Sequence, residues 1–278
     1  MKRVVTIIFC IIFLLLLWYF FYHENTDLRV TRYYIKDKKI NNKFVITQIS
    51  DFHNNKYKKL NNELIYNLKL IKPDIIVITG DFIDSRRTDI NASINFINEI
   101  KEVSPIYYVN GNHESRMEDY ELFKEKLVDN DVIVLENDIK EIKYKDNNIN
   151  IIGISDPRFA VDKRDKEKGI IKEELKSIDY DKYIYTILLT HRPEYINEYS
   201  EENINLVLSG HAHGGQINIP FLGPLYAPGQ GLFPKYINSM YKVNNTNMIV
   251  SCGIGNSLMP FRINNKPELV IVELDSME

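Results

Sequence analysis

The chain has 278 residues, of which 44% are hydrophobic and 26% charged, and these proportions exclude an intrinsically disordered chain. Its formal net charge of −3 disfavours a protein that binds nucleic acid mainly through phosphate contacts. The two cysteines, Cys10 and Cys252, lie in unlike segments, so we predict no disulfide framework.

An uncharged apolar run spans residues 4–22. As a helix with a rise of about 1.5 Å per residue it would be roughly 28 Å long, close to the ~30 Å of a bilayer core. Aromatic residues at 18–22 suit the membrane interface. Lys2 and Arg3 precede the run, and the positive-inside rule places residues 1–3 in the cytoplasm. We therefore predict an uncleaved, single-pass signal-anchor in the cell membrane, with the remaining chain outside.

Two other interpretations of this run remain. A buried core helix fits poorly, because such a run at the extreme N-terminus rarely packs that way. A cleaved signal peptide is the stronger alternative, although its apolar region is usually only ~7–15 residues long. It also requires a small-residue cleavage site, which residues 23–27 do not contain. We expect residues 23–42 to form a linker and residues 43–278 to form the folded domain.

From residue 43 the sequence alternates β-rich runs with helical stretches. The predicted strands are 44–49, 75–79, 106–109, 132–135, 149–154, 184–189, 206–209, 248–251 and 269–274. The predicted helices are 61–71, 89–103, 117–128 and 168–177, with Pro193 placed to begin another. Continuous apolar runs suit strands that are covered on both faces. The order of elements predicts one α/β domain whose sheets lie between helices.

Polar motifs follow these predicted strands. The chain has six histidines, and all except His23 directly follow a strand. The motifs, in order, are Asp51-Phe52-His53, Gly80-Asp81-Phe82-Ile83-Asp84, Gly111-Asn112-His113-Glu114, His191 and Gly210-His211-Ala212-His213. Sites in α/β proteins gather at the carboxyl ends of strands. Loops that each supply an oxygen or imidazole there are what a metal cluster requires.

The spacing within the motifs supports this prediction. In D-x-H and H-x-H, residues two apart can face the same way on an extended segment, and the glycines permit tight turns. Each motif alone has an ordinary explanation: a coincidence, a turn or helix cap, a structural histidine or adventitious metal binding. Their joint occurrence in this order predicts a metal site.

The ordered motifs resemble those of the calcineurin-like metallophosphoesterase superfamily, D-x-H, G-D-x-x-D, G-N-H-[DE], H and G-H-x-H, over roughly residues 43–274. Four later segments resemble the membrane-associated bacterial YkuE-like branch of this superfamily, namely 214–216, 220–231, 253–257 and 260–263. The resemblance implies the metallo-dependent phosphatase fold. This fold is a four-layer α/β/β/α sandwich of two mixed sheets, here preceded by one transmembrane helix.

The resemblance also implies a site for two divalent metal ions. It assigns Asp51, His53 and His213 to one ion, Asn112, His191 and His211 to the other, and Asp81 as the bridge between them. His113 would protonate the leaving oxygen or stabilise charge on the phosphoryl group. Asp84 and Glu114 would orient His or Asn ligands. Manganese is the first expectation, with iron, zinc and cobalt as alternatives.

The implied chemistry is in-line attack on phosphorus by a hydroxide that bridges the two ions, without a phospho-enzyme. One departure from many relatives is Asn54-Asn55, where they have a leucine and a glycine nearby. This departure bears on the shape of the substrate mouth and not on the ligands.

The leading functional hypothesis is a membrane-anchored phosphoesterase that hydrolyses a phosphomonoester or phosphodiester. A lipid-linked or cell-envelope substrate suits an anchored domain. Residues 217–233 could line a lipophilic groove, or could be an ordinary packed loop. A nuclease or cyclic-nucleotide phosphodiesterase is the second hypothesis, although no nucleic-acid partner is expected. A non-catalytic metal-binding scaffold is the third, and oligomeric state stays open.

Overall fold

A computed structural model describes residues 2–161, 167, 169–257 and 259–277. The helices are α1 Lys2–Thr26, α2 Lys58–Ile71, α3 Ile90–Ile100, α4 Tyr120–Val128, α5 Ile170–Ser177 and α6 Ile196–Ser200. The strands are β1 Arg29–Asp37, β2 Phe44–Ile49, β3 Ile75–Thr79, β4 Ile106–Val109, β5 Val132–Val134, β6 Asp138–Tyr144, β7 Asn147–Gly153, β8 Tyr185–Leu189, β9 Leu206–Ser209, β10 Asn218–Ile219, β11 Gly223–Pro224, β12 Tyr226–Ala227, β13 Gly231–Leu232, β14 Ser239–Val243, β15 Thr246–Val250 and β16 Glu268–Ser276.

Two six-stranded mixed sheets form the centre of the domain. The first has the order β1-β16-β2-β3-β4-β5, and β2 to β5 run parallel. The second has the order β14-β15-β9-β8-β7-β6, in which β7, β8, β9 and β15 run parallel. Each sheet also contains antiparallel pairs, β16 with β2 in the first and β14 with β15 in the second.

Three buried apolar clusters give the layers. The central cluster joins the sheets through residues such as Ile46 and Ile187. A second cluster packs α2, α3 and α4 on the outer face of the first sheet, and a third packs α5 and α6 on the second sheet. The strands are apolar on both faces because each sheet has neighbours on both sides. The predicted four-layer α/β/β/α sandwich is confirmed.

Local signals set the helices in this frame. On α2, Leu60, Leu64 and Leu68 recur every fourth residue and are fully buried, so one face of the helix turns toward the sheet. Asp89 caps α3, because its carboxylate accepts a hydrogen bond from the backbone N–H of Ala92 at 3.1 Å. The predicted helix at 168–177 begins at Ile170 in the structure, and residue 168 lies outside the described residues.

Several strands have no counterpart among the predicted elements, namely β1, β6, the short strands β10 to β13, and β14. Strand β1 lies within residues 23–42, which we expected to form a linker, and it pairs in parallel with β16 at the edge of the first sheet. Only alternate residues such as Tyr33 and Ile35 face inward, between exposed and charged ones. An edge strand of this kind lacks the continuous apolar run that marks the central strands.

Helix α1 is long and apolar enough to cross a membrane by length and composition. No residue of its most apolar window is buried, which removes the alternative of a buried core helix. A membrane anchor and a signal sequence both fit these properties. At its C-terminal end, Glu24, Asn25 and Thr26 are buried against the domain.

Candidate metal centre

The metal-site residues assigned from the resemblance all lie at one edge of the domain, where the carboxyl ends of central strands from both sheets meet. Asp51 and His53 follow β2, Asp81 follows β3, and Asn112 follows β4. From the second sheet, His191 follows β8, and the H-x-H motif follows β9. None of these side chains exposes more than 6% of its surface. Parallel strands direct their carboxyl ends to the same edge, so residues far apart in sequence converge there.

A first cluster joins the two paired motifs. Potential ligand atoms of Asp51, His53, Asp81 and His213 all lie within 4.8 Å of one another. His53 Nε2 lies 3.2 Å from His213 Nε2, which in turn lies 3.3 Å from Asp51 Oδ1. A carboxylate and two imidazoles therefore point at one small volume.

A second cluster shares Asp81 with the first. His191 Nε2 lies 3.2 Å from Asp81 Oδ2 and 3.1 Å from His211 Nδ1. The same Asp81 oxygen lies 3.8 Å from His53 Nε2. Asn112 lines the adjoining cavity together with Asp81 and His211. Asp81 thus lies between the two clusters, which is where a bridging carboxylate is required.

The donor set fits divalent metal ions. Burial, followed by the neighbouring cations Arg262 and His113, outweighs the Asp51 and Asp81 carboxylates and lowers the pKa of His213 to about 4. Burial also lowers the pKa of His53 and of His211. These rings are therefore neutral at pH 7, the form that binds metals. In the part of the chain that the structure describes, the buried Asn112 Oδ1 has no hydrogen-bond partner. The clusters fit the binuclear centre of this fold.

His191 differs in protonation from the other histidines. Burial alone would lower its pKa, but the Asp81 carboxylate raises it to about 10. A cation would therefore have to displace this proton. The Thr79 carbonyl oxygen lies 2.9 Å from His191 Nδ1 and fixes the ring so that Nε2 faces Asp81.

Several residues of the ligand loops have a left-handed backbone conformation that non-glycine residues rarely adopt. Positive φ angles of 46–67° occur at Asp51, His53, Asp81, His211 and His213. Such strain costs of order 1–3 kcal/mol per residue and concentrates at functional sites. At Gly111 a Cβ atom would lie only 2.4 Å from Asp81 Oδ1, so the close approach expected of the motif glycines does occur here.

Glu114 holds two ligand loops together. Its carboxylate accepts hydrogen bonds from the backbone N–H groups of Asp81 at 2.9 Å, Ile83 at 3.0 Å and Gly111 at 2.8 Å. Burial and the Asp81 charge raise the pKa of Glu114 to about 7. From the resemblance we expected Glu114 to orient a His or Asn ligand. In the structure its carboxylate binds the backbone of the Asp81 loop and of Gly111, the residue before Asn112.

His113 lies at the inner end of a cavity of about 240 Å³. Its Nδ1 is 3.3 Å from Asp84 Oδ1, and its Nε2 is 4.0 Å from Asp81 Oδ2 and 3.4 Å from the Arg86 guanidinium. Burial would lower the pKa of His113, but Asp81 and Asp84 outweigh it and raise the pKa. His113 can therefore carry a proton beside the metal clusters. Asp84 contacts this ring and so sets its orientation.

Arginines around the cavity were not singled out from the sequence. Arg86, Arg116 and Arg192 line it, and each stands within three residues after a motif residue. This repeated position was the available signal. Arg192 is buried and donates to both Asp156 carboxylate oxygens, at 2.6 and 3.0 Å. Arg86 and Arg116 are exposed at the cavity wall, where a phosphoryl group could reach them.

Two packed mixed sheets with paired His/Asp clusters at their common edge define a metal-dependent phosphoester hydrolase. The family model "Calcineurin-like phosphoesterase" matches residues 44–215, and the chain belongs to that family.

Relatives agree with this assignment. The chain is 29% identical over 238 residues to "Uncharacterized metallophosphoesterase YkuE" of Bacillus subtilis (strain 168), a match that covers 84% of this chain and 79% of that protein. It is 26% identical over 206 residues to "Phosphodiesterase YaeI" of Escherichia coli (strain K12), covering 73% and 71%. The solved structure of a Thermus thermophilus protein, TT1561, shares the fold, with a TM-score of 0.51 at 12% identity, covering 76% and 90%.

Proposed function

We propose that this protein is a membrane-anchored two-metal phosphoesterase whose substrate is a lipid-linked or cell-envelope phosphoester. The observation that carries the proposal is the pair of clusters that share Asp81. The proposed ligands are Asp51, His53 and His213 for one ion, Asn112, His191 and His211 for the other, and Asp81 for both. Divalent ions bound there, manganese first, would supply Lewis acidity that activates water and offsets charge on phosphoryl oxygens.

The protein's own groups would position the substrate. The exposed guanidinium groups of Arg86 and Arg116 face the cavity and can hold phosphoryl oxygens in place by charge-assisted hydrogen bonds. The buried Arg192 is already paired with Asp156, so its role is to hold the cavity wall. Cleavage would then be completed by proton donation to the leaving oxygen from His113 Nε2.

The His113→Ala substitution is expected to slow hydrolysis most for esters with poor leaving groups. An alkoxide leaving group requires a proton, whereas p-nitrophenolate leaves without one. We expect kcat to fall about 100-fold or more for a dialkyl diester and by less than about tenfold for bis-p-nitrophenyl phosphate. Steady-state kinetics of the full chain in detergent measure both. Equal losses on the two substrates would contradict the proposed proton donation.

Membrane anchoring is supported by α1, whose exposed apolar length matches a bilayer core. An anchored domain meets substrates at a surface, and the cavity wall includes the apolar groups Tyr226, Pro228 and Met259. We infer that these groups receive the apolar part of a lipid-linked phosphoester.

Polar substitution at the tip of the first hairpin, in the segment that also contains Tyr226 and Pro228, tests the lipid-linked substrate. The double variant Phe221→Ser, Leu222→Ser is expected to hydrolyse a phosphodiester presented in vesicles about tenfold more slowly, because apolar contact is lost. Its rate on soluble bis-p-nitrophenyl phosphate should not change. Tyr66→Ser with Leu70→Ser, which are similarly exposed on α2, is the matched control and should retain both rates. Equal losses on both substrates would contradict a lipophilic site.

Two alternatives have their own readouts. Comparison of bis-p-nitrophenyl phosphate with p-nitrophenyl phosphate separates diesterase from monoesterase activity. A nuclease or cyclic-nucleotide phosphodiesterase would prefer those substrates over envelope phosphoesters. For a metal-binding scaffold, neither ester would be hydrolysed with any metal.

A further inference from the structure

An exposed apolar surface lies directly after the last metal-site motif. Residues 214–234 contain no Asp, Glu, Lys or Arg, in a chain of which 26% is charged. The β10-β11 and β12-β13 hairpins in this segment expose six large apolar or aromatic side chains, here named the hairpin patch: Ile219, Phe221, Leu222, Tyr226, Leu232 and Phe233. Phe221 at the tip of the first hairpin is fully exposed. A concentration of large exposed apolar side chains on two joined hairpins is typical of a contact with a protein partner or a membrane.

Both hairpins are tied to the loop before β16. Asn218 and Asn264 exchange side-chain to backbone hydrogen bonds at 3.2 and 3.0 Å. Leu225 joins the two hairpins, because its N–H donates to the Ile217 carbonyl oxygen at 3.1 Å and its carbonyl oxygen accepts from the Phe233 N–H at 3.1 Å. The base of the patch is therefore hydrogen-bonded to the segment 259–265.

The same loop contacts α1 where its apolar part ends. The Phe261 ring lies 5.1 Å from the Phe21 ring, centroid to centroid. Phe221, in the turn at the hairpin tip, is three residues along the chain from Asn218, so its Cα lies at most about 10 Å from that of Asn218. The hairpin patch is thus linked, through residues 261–264, to the part of α1 at which the helix would leave the apolar layer.

Hydrogen bonds set the direction of α1 relative to the metal centre. Asn25 Oδ1 accepts from Asn256 Nδ2 at 2.8 Å and from the Arg262 backbone N–H at 3.1 Å. The Asn265 side chain donates to the His213 carbonyl oxygen at 2.6 Å. A buried arginine, a metal-site loop and the helix end therefore form one connected unit. A bilayer that contains α1 would meet the domain in one orientation.

We propose that the hairpin patch inserts into the leaflet that surrounds the C-terminal end of α1, as a second membrane contact of the domain. The partner is a lipid bilayer, because the patch is apolar, uncharged and linked through residues 261–264 to a bilayer-length helix. Tyr226 belongs both to the patch and to the cavity wall, so the cavity opens at the level of the lipid headgroups. This inference rests on the anchoring of α1 in the proposed function.

Tryptophan fluorescence tests the insertion in the full chain. The protein has a single tryptophan, Trp18. With Trp18→Phe as the background, Phe221→Trp is placed in nanodiscs with brominated or ordinary acyl chains. The brominated chains should reduce its emission about twofold or more, as expected of an aromatic ring at the membrane interface. Tyr183→Trp is the matched control. Tyr183 is 90% exposed just before β8, at the edge opposite the metal centre, and should not be quenched.

The controls separate the possible failures. If Phe221→Trp emits like Tyr183→Trp, and Leu232→Trp does the same, the patch does not insert and the proposal is overturned. Trp18 in the otherwise unaltered protein reports whether α1 lies in the bilayer. Unquenched Trp18 would overturn the anchoring and the insertion together. No arm requires hydrolysis, so loss of the phosphoesterase proposal would leave these results unchanged.

Discussion

The Asp81→Asn variant is expected to hydrolyse bis-p-nitrophenyl phosphate at least about a thousandfold more slowly than the wild-type full chain. Asp81 Oδ2 lies 3.2 Å from His191 Nε2 and 3.8 Å from His53 Nε2, so one carboxylate serves both clusters. The amide of asparagine carries no negative charge and would offer the two clusters only N–H donors and a neutral oxygen. Metal-stripped protein, assayed with manganese, zinc or no added metal, provides the measurement.

Metal counting on the same samples interprets the rates. The wild-type protein should bind two ions per chain, and Asp81→Asn should bind fewer. Asp119→Asn makes the same chemical change in an exposed side chain and should retain both the rate and the ions. Wild-type activity in Asp81→Asn would contradict the shared carboxylate. An inactive wild-type protein with two ions would indicate a narrow substrate preference, and one with none would indicate a scaffold.

The Glu114→Ala variant is expected to lose at least about 3 kcal/mol of unfolding free energy. Glu114 is fully buried and accepts three backbone N–H groups. Alanine leaves these donors without partners, and each buried unpaired donor costs about 1–3 kcal/mol. Urea unfolding of metal-free protein in detergent, followed by circular dichroism, measures the change.

Two further variants test the cause of that loss. Glu118→Ala removes an exposed carboxylate from the same loop and should change stability by less than about 0.5 kcal/mol. Glu114→Gln should lose an amount of unfolding free energy between those of the two alanine variants. Its side-chain carbonyl oxygen still accepts a hydrogen bond, but its N–H₂ group faces a backbone donor. A loss in Glu114→Ala no larger than that in Glu118→Ala would show that the three hydrogen bonds do not hold the loops.

The central strands and the motif residues were predictable from sequence because their signals are local. The runs at 75–79 and 106–109 are continuously apolar, and the structure contains β3 and β4 at those positions. The order of the polar motifs identified the family, which the family match and the relatives confirm. Patterns of this kind involve only residues that are close in sequence, so they can be recognised without knowledge of the fold.

Elements with weak local signals were missed. Strand β1 alternates charged and inward residues, and its place was decided by pairing with β16 more than 200 residues away. The short strands β10 to β13 have only two residues each, and β11 and β13 contain Gly, with Pro also in β11, which argues against strands in a sequence. The arginines of the cavity wall gave only a weak positional signal.

The sequence by itself determined the fold class, the metal-site candidates and the apolar helix, because apolar periodicity and side-chain chemistry can be recognised in short segments of the chain. Only the tertiary structure decided that Glu114 accepts hydrogen bonds from the backbone of the ligand loops, and that Asn25 contacts Arg262. The last pair is separated by 237 residues. Contacts at such separations depend on how both sheets pack, and no local pattern encodes them.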